Sequence, residues 1–446
     1  VQLLGRFDIK KLSSTSQFVP DAVMPEGSYF KKMSQTGSGY QIAELGDSNE
    51  LYERLSKYDH EDKPINVSIA NFCIQHFTDK IGDCNFLEFN DAFNDLNKDS
   101  SVGFGAKQIG IKSRLDIDLK LYLLNYYDLS RKSPLHCIVT ASQKDEIRVV
   151  GKTPRLFTSF PVEHTFLSSL VFGDFLRQFY EHRFCVDGSV SAVGDPMQSG
   201  SLAMYKYEMS KRPYLYCTDT NAQDSSVTRS FLELVYANIL IKYKLTDEEY
   251  NLYQTAKNNS IDKIVTVCGM LYLIPRGLGS GDYLTVVVNI MWRLYMVVEN
   301  YHHPTMDFFS RNTTIINGDD LIMSSDFDDL DLNSPHARIE WANRHVTWDE
   351  MDFCSHKFSP YIHQDPVKVR AVLTLRKKRS YGNDPRCEIQ RLGGLLHVLS
   401  DEDTYNLILT QMVDLADKHD LHDLLDQQYI SYDELYANYN MPIQLI

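Results

Sequence analysis

Three aspartates stand where a chain can offer carboxylates to a cation. Asn317-Gly318-Asp319-Asp320 lies between two β-prone runs, Thr313-Thr314-Ile315-Ile316 and Leu321-Ile322-Met323. This is the pattern of a hairpin whose Gly-Asp turn carries adjacent carboxylates at its tip. Carboxylates so placed can hold hard divalent cations and leave coordination positions free for phosphate oxygens. Asp219 closes another run, Tyr214-Leu215-Tyr216-Cys217-Thr218, which reads as a buried strand ending in a carboxylate. A strand end and a hairpin tip that meet can pinch two cations roughly 3.5–4 Å apart, an arrangement that stabilises both the attacking and the leaving oxygen of an in-line phosphoryl displacement. Gly-Asp-Asp alone is common in surface turns, so its weight depends on the groups that accompany it.

Asp224 follows Asp219 by five residues and precedes Phe231 to Leu240, a stretch of helical length and apolar spacing. Farther on, Gly277-Leu278-Gly279 and Ser280-Gly281-Asp282-Tyr283-Leu284-Thr285 run straight into an apolar stretch from Val286 to Val298. Thr285 and Asn289, four residues apart, share one face of the expected helix. The glycines before it let backbone come close to a sugar or a nucleic acid. Upstream, Lys144, Arg148, Lys152 and Arg155 form a basic comb among β-prone residues. Forked guanidinium donors and point-like ammonium donors together suit the dispersed charge of a triphosphate.

In this order (basic comb, Asp-x4-Asp, Ser-Gly-x3-Thr-x3-Asn, Gly-Asp-Asp) the chain resembles the RNA-dependent RNA polymerases of positive-strand RNA viruses. The similarity is to the picornavirus-like group, with its calicivirus, potyvirus and astrovirus branches. It covers about Lys144 to Phe358, roughly half the chain. The order differs from that of the circularly permuted viral polymerases. Fainter similarities lie outside the core motifs. Ser100-Ser101-Val102-Gly103-Phe104-Gly105 resembles an index-finger element that guides template. Phe157-Thr158-Ser159-Phe160-Pro161 is similar to the segment after the comb in potyvirus-type enzymes, and Val193-Gly194-Asp195-Pro196 to the turn before the first palm strand. Phe353-Cys354-Ser355-His356-Lys357-Phe358 resembles a primer-grip strand. The comb departs from the pattern: only six residues separate Arg148 from Arg155, and Pro154 interrupts the expected step.

The resemblance implies an α+β right-hand polymerase. Residues 1–190 would form fingers, with the index finger and the basic segment that admits NTPs. Residues 191–239 and 276–365 would form a palm, an antiparallel sheet plus helices carrying the catalytic hairpin. Residues 240–275 would be a fingers insertion and 366–446 the thumb. It implies that Asp219 and Asp319 ligate two Mg2+ ions, for which Mn2+ can substitute, with Asp320 assisting. Asp224, Ser280, Thr285 and Asn289 would sense the ribose 2′-hydroxyl, and Lys144, Arg148, Lys152 and Arg155 would hold the triphosphate. Ser101, Gly103, Gly281, Cys354 and Ser355 would line the template and primer, and Arg344, with His345 as the other candidate, would be the general acid. The implied reaction is template-directed RNA synthesis, joining NTPs to an RNA 3′-hydroxyl. Its partners would be template, primer or product duplex, NTPs and other viral replication proteins, in replication complexes of the host cytoplasm. Reverse transcription shares the palm chemistry but is disfavoured, because Asp224 and Asn289 suit a ribose. An inactive polymerase-like RNA-binding scaffold is disfavoured by the intact carboxylates.

The rest of the chain must supply the body that positions these groups. Its 446 residues, 43% hydrophobic, suffice for a large core. No stretch approaches the roughly 18–20 apolar residues of a membrane span. Val1 in place of a start methionine suggests a product processed from a longer polyprotein, or a chain trimmed for expression. Eight cysteines without Cys-x-x-Cys spacing point to neither a disulfide framework nor a zinc site, and fit a reducing cytosol. Net charge is −15, awkward for a nucleic-acid enzyme. However, Asp401–Ile446 holds ten acidic residues against Lys418 alone, a net −9 that leaves −6 for the first 400. A basic tunnel inside an acidic shell is therefore open to Lys107, Lys112, Arg114, Arg131, Lys132 and the run from Arg370 to Arg379. The acidic tail reads as the solvated face of helices that are apolar at Leu407, Met412, Leu415, Leu421, Leu424 and Leu425. Gly151-Lys152-Thr153 lacks the earlier glycine of a phosphate loop, and Asp326–Asp331 lacks the glycine and glutamate of a calcium loop.

Overall fold

A computed structural model of the chain describes residues 2–6, 18–20, 40–42, 54–144, 147–149, 155–182, 189–192, 200–267, 270–377 and 384–441. Among these residues the centre is a four-stranded sheet, in spatial order Ser189–Ser191, Asn312–Asn317, Asp320–Ser325 and Tyr214–Thr218. The pairings are antiparallel except that Ser189–Ser191 runs parallel to Asn312–Asn317. Side chains alternate between faces along each strand. Accordingly Ile316, Leu321, Met323 and Tyr216 enter one hydrophobic core, while Ile315, Ile322, Leu215 and Cys217 enter another. Both faces are covered, which is why these strands read as unbroken apolar runs rather than as polar–apolar alternation.

On the first face lie the helices Arg229–Leu240 and Thr285–Glu299. The second of these is buried nearly all round: from Thr285 to Val298 only Val286, 39% exposed, reaches solvent. A helix apolar on every side belongs inside a large core. Each Leu, Ile, Val or Met fully buried there contributes roughly 1.5–3 kcal/mol. Helix Val67–Thr78 packs beside it, started by Asn66, whose side chain caps the amides of Ser68 and Ile69.

The opposite face meets Leu202–Met209 and the C-terminal helices Pro385–Leu396, Glu402–His419, His422–Gln428 and Tyr432–Asn440. Asp384, Asp401 and Ser431 cap three of these helices with their side-chain oxygens. Met412 and Leu415 are buried, while Leu407, Leu421, Leu424 and Leu425 pack against them half-buried, so the acidic residues face water.

A second, five-stranded sheet has the order Gln2–Arg6, Met270–Ile274, Lys263–Val267, Ile138–Gln143 and Leu156–Ser159. Its own small core includes Leu55, Tyr58, Phe160 and Ile274. Two further ladders bring remote parts of the chain together: Tyr40–Ile42 pairs with Ile147–Val149, and Phe18–Pro20 with Leu375–Lys377. Among the described residues no helix is long and apolar enough to cross a membrane.

Candidate active site

The aspartates are brought together by strand register. Asn317 pairs with Asp320, which leaves Gly318 and Asp319 as a two-residue turn. Gly318 adopts φ +66 there, in open space, the left-handed conformation that such hairpin turns demand. On the other side Leu321 pairs with Thr218. The next residues outward on these antiparallel strands are Asp320 and Asp219, so the two carboxylates share one end of the sheet. Residues 219–221 are held in turn by an outer segment: Glu340 donates its amide to the Asp219 carbonyl at 2.9 Å, and Asn221 to the Arg338 carbonyl at 3.0 Å.

The charges at this end strain against one another. Burial pushes the Asp319 carboxyl above its usual range, and Asp219 and Asp224 add to the effect against Arg155. Asp320 is pushed up to about 7 by burial, then by Asp319, Asp219 and Asp352. Beneath them Arg293, fully buried, donates to the Thr218 hydroxyl. Burial lowers its guanidinium to about 10, while Asp219, Asp319 and Asp320 favour its charged form. Its Nε and Nη1 have no hydrogen-bond partner. Sequence motifs did not single Arg293 out, yet a signal was there: a lone arginine in an apolar helix, four residues after Asn289.

An oxygen-only set of mutually repelling carboxylates, exposed at Asp219 and Asp319 and half-buried at Asp320, has the chemistry of a hard-cation site. Among the described residues no group of three or more His, Cys, Asp or Glu side chains is gathered tightly enough to hold a metal ion. The fit therefore rests on donor type and electrostatics, and the carboxylates do not form a closed cage.

Asp224 sits in a single helical turn, Gln223–Ser226, entered through Ala222 at φ +53. Asn289 Nδ2 donates to Asp224 Oδ1 at 2.9 Å, so two sequence candidates 65 residues apart form one polar pair. Gln223, which carried no motif signal, staples the pair to the hairpin. Its Nε2 donates to the Asn289 carbonyl at 3.1 Å and to the Gly318 carbonyl at 3.0 Å. The Thr285 hydroxyl donates to the Gly279 carbonyl at 2.6 Å and is thereby committed to the loop. Ser280 lies half-buried in that loop.

Ser101, Gly103 and Gly281 converge on one region. Gly103, at φ +84, presses on Pro161, where a Cβ would stand 2.4 Å from the Pro161 Cα. Arg114 fixes the neighbouring turn by donating Nε and Nη2 to the Ser101 carbonyl at 3.3 and 3.2 Å. Ser101 and Gly281 line a cavity of about 260 Å³ together with Arg114, Phe157, Phe160 and Tyr283. A Cβ on Gly281 would stand 2.5 Å from the Thr158 carbonyl oxygen. Gly281→Ala is therefore expected to displace a strand and cost about 1–3 kcal/mol, with weaker RNA binding, as melting curves and filter binding would report.

Cys354 and Ser355 form the two-residue turn closing the Phe353–His356 pair, both at positive φ. This tip leans on the aspartate hairpin. Asn317 Nδ2 donates to Cys354 Sγ at 3.1 Å, and the Cys354 thiol bonds the Asp320 carboxyl. Lys368 Nζ donates to Ser355 Oγ at 2.6 Å. His356 behind the turn is pushed down to about 4 by burial, so it is a neutral ring at neutral pH.

Of the basic comb, Lys144 and Arg155 come together through a 2.8 Å backbone bond, from the Lys144 amide to the Arg155 carbonyl, and both side chains are exposed. Arg155 faces Asp319 closely enough to offset its repulsion. Arg148 pairs through backbone with Gln41. Lys152 and the Val193–Pro196 turn lie outside the described residues. Lys57 joins the set without any motif: its ammonium is lowered by burial, favoured by Asp224 and opposed by Arg155. Arg344 pairs with Glu350 at 2.8 Å and lies over the Trp341 ring, in the outer segment whose Glu340 bonds Asp219 and whose Val346 bonds Leu215.

The family model described as viral RNA-dependent RNA polymerase matches residues 16–358. Among solved structures, the chain is similar to the Sicinivirus 3Dpol RNA dependent RNA polymerase. The TM-score is 0.70 at 14% sequence identity, over 96% of each chain. Among curated proteins, none matches by sequence.

Proposed function

The chain belongs to the viral RNA-dependent RNA polymerases, and from that premise we propose how its residues divide the work of joining nucleoside triphosphates to an RNA 3′-hydroxyl. The family uses divalent metal ions and works on RNA and NTPs, and reverse transcription is not favoured. In our reading the four-stranded sheet with its two layers is the palm (191–239 and 276–365), the five-stranded sheet and its surroundings are fingers (1–190 and 240–275), and the helices after 366 are the thumb.

The observation that carries this reading is the register Leu321–Thr218, which sets Asp219 beside the Asp319-Asp320 tip. Asp219 and Asp319 would hold the cations, Mg2+ or Mn2+, with Asp320 assisting. A bound cation pair supplies charge neutralisation to both oxygens exchanged at the α-phosphate. Arg155 and Lys57 present positive charge beside that end and would orient the triphosphate, with Lys144, Lys152 and Arg148 as further members of the comb. Asn289, fixed by Asp224 and Gln223, would recognise the 2′-hydroxyl, with Ser280 offered from the neighbouring loop. Ser101, Gly103 and Gly281 would guide template, and Cys354 and Ser355 the primer end. Arg344, with His345 as the other candidate, would be the general acid for the leaving group. Replication complexes in the host cytoplasm, with other viral proteins, are the setting we propose.

The test is template-directed extension of a primer by the purified chain with Mg2+ or Mn2+, scored for NTPs against dNTPs. Asn289→Ala is expected to lower the preference for ribonucleotides by about tenfold, the value of one well-placed hydrogen bond in an otherwise desolvated site. An unchanged preference would remove Asn289 from sugar recognition.

A further inference from the structure

The loop from Gly277 to Asp282 carries Ser280 and Gly281, and its glycines leave it conformationally free. It is nonetheless held by buried side chains from three remote parts of the chain. Tyr58 donates its hydroxyl to the Leu278 carbonyl at 2.9 Å, and its ring fills the space beside Gly277. Lys263, 1% exposed, donates Nζ to the Gly277 carbonyl at 2.7 Å, and to those of Ser260 and Ile261 at 3.0 and 3.2 Å. At the far end of the loop Asp282 Oδ1 meets His164 Nε2 at 3.1 Å and the Tyr283 amide at 2.6 Å. His164 is itself buried under the Phe160 ring and touches Ser168 Oγ at 3.3 Å.

A carboxylate as buried as Asp282 must be compensated by donors and opposite charge. Burial works against its ionisation, but the His164 hydrogen bond and charge, Ser260 and Lys263 outweigh it and hold the carboxyl below its usual range. An ionised Asp282 can only accept, so His164 Nε2 is the donor of that bond, while His164 Nδ1 has no hydrogen-bond partner. The hydrogen bonds therefore run one way, from buried donors into the two ends of the loop.

We propose that His164, Asp282, Lys263 and Tyr58 are positioning residues for sugar selection: they fix the loop that presents Ser280 beside the Asn289–Asp224 pair, and so set how strictly ribose is demanded. None of them reaches the nucleotide; they act through the Gly277–Asp282 backbone. The inference rests on the reading of Asn289 and Ser280 as ribose-recognising residues. A purely structural cement predicts lost stability with unaltered selectivity, whereas a positioning clamp predicts altered selectivity in a folded protein.

The experiment compares single-nucleotide incorporation of CTP and dCTP by the full chain on one primer–template, alongside melting curves. His164→Phe keeps the ring volume and deletes the donor to Asp282, while His164→Gln returns an amide donor. The ratio of kcat/KM for CTP over dCTP is expected to fall about 5- to 10-fold in His164→Phe, the worth of one lost hydrogen bond, and to recover in His164→Gln. Should His164→Phe fail to fold, Tyr58→Phe, which removes only the hydroxyl on Leu278, carries the same expectation. Wild-type selectivity in the folded variant, with selectivity lost in Asn289→Ala, overturns the clamp and leaves the sugar-site reading standing. Wild-type selectivity in Asn289→Ala overturns that reading and the clamp with it.

Discussion

Asp319→Asn is expected to lower nucleotide incorporation by about a thousandfold or more, which is about 4 kcal/mol of lost transition-state stabilisation, while the protein stays folded and still binds RNA. Asp319 is at the tip of a two-residue turn, where it is exposed. Asn has the same shape but cannot supply the negative charge that a hard cation requires. The substitution also removes one of the carboxylates that repel Asp320, so the melting temperature should stay level or rise. Incorporation assays, melting curves and RNA filter binding on the same preparation check the three parts together. Near-wild-type synthesis by this variant would remove Asp319 from the metal assignment.

The second large effect is expected at Arg293. Arg293→Met leaves Asp219, Asp319 and Asp320 without the buried positive charge that now faces them, and breaking such an arrangement from one side costs about 3–5 kcal/mol. The loss should depend on pH in a definite direction. Asp320 is pushed up to about 7 in the folded protein, so between the unfolded value of about 4 and that pH the native state binds more protons than the unfolded chain. Stability contributed by this group therefore falls as pH rises through that window. Without Arg293 the repulsion grows, so the deficit should be smallest near about pH 5 and largest above about pH 7. Melting curves of both proteins across that range test it. An equal deficit at every pH would mean that Arg293 acts by packing alone.

Features legible in the sequence were those written locally. The Gly-Asp-Asp hairpin shows itself through two unbroken β-prone runs and a residue suited to positive φ, and the structure has Gly318 in that conformation. The α+β right-hand architecture followed from motif order, and the fold is similar to that of the Sicinivirus 3Dpol RNA dependent RNA polymerase at only 14% identity. The Asp224–Asn289 contact could be anticipated as a shared role, though not as a hydrogen bond. Hidden from the sequence were partners whose meaning comes from contacts across hundreds of residues. Tyr58 reaches Leu278 across 220 positions and His164 reaches Asp282 across 118, and neither has a local pattern that would mark it. For Thr285 and Arg344 the residue types suggested the chemistry, and the structure adds the partners they rest on, the Gly279 carbonyl and Glu350.

The short ladder between Phe18–Pro20 and Leu375–Lys377 has a mechanical consequence. It joins an early segment of the chain to a strand that directly follows the helix Pro366–Thr374, so these two parts separate only if this ladder breaks. The junction is weak by construction. It spans three residue pairs, and Pro20 has no amide hydrogen to contribute. Few backbone hydrogen bonds therefore hold this junction, and breaking them disturbs neither the four-stranded nor the five-stranded sheet, since neither includes these strands.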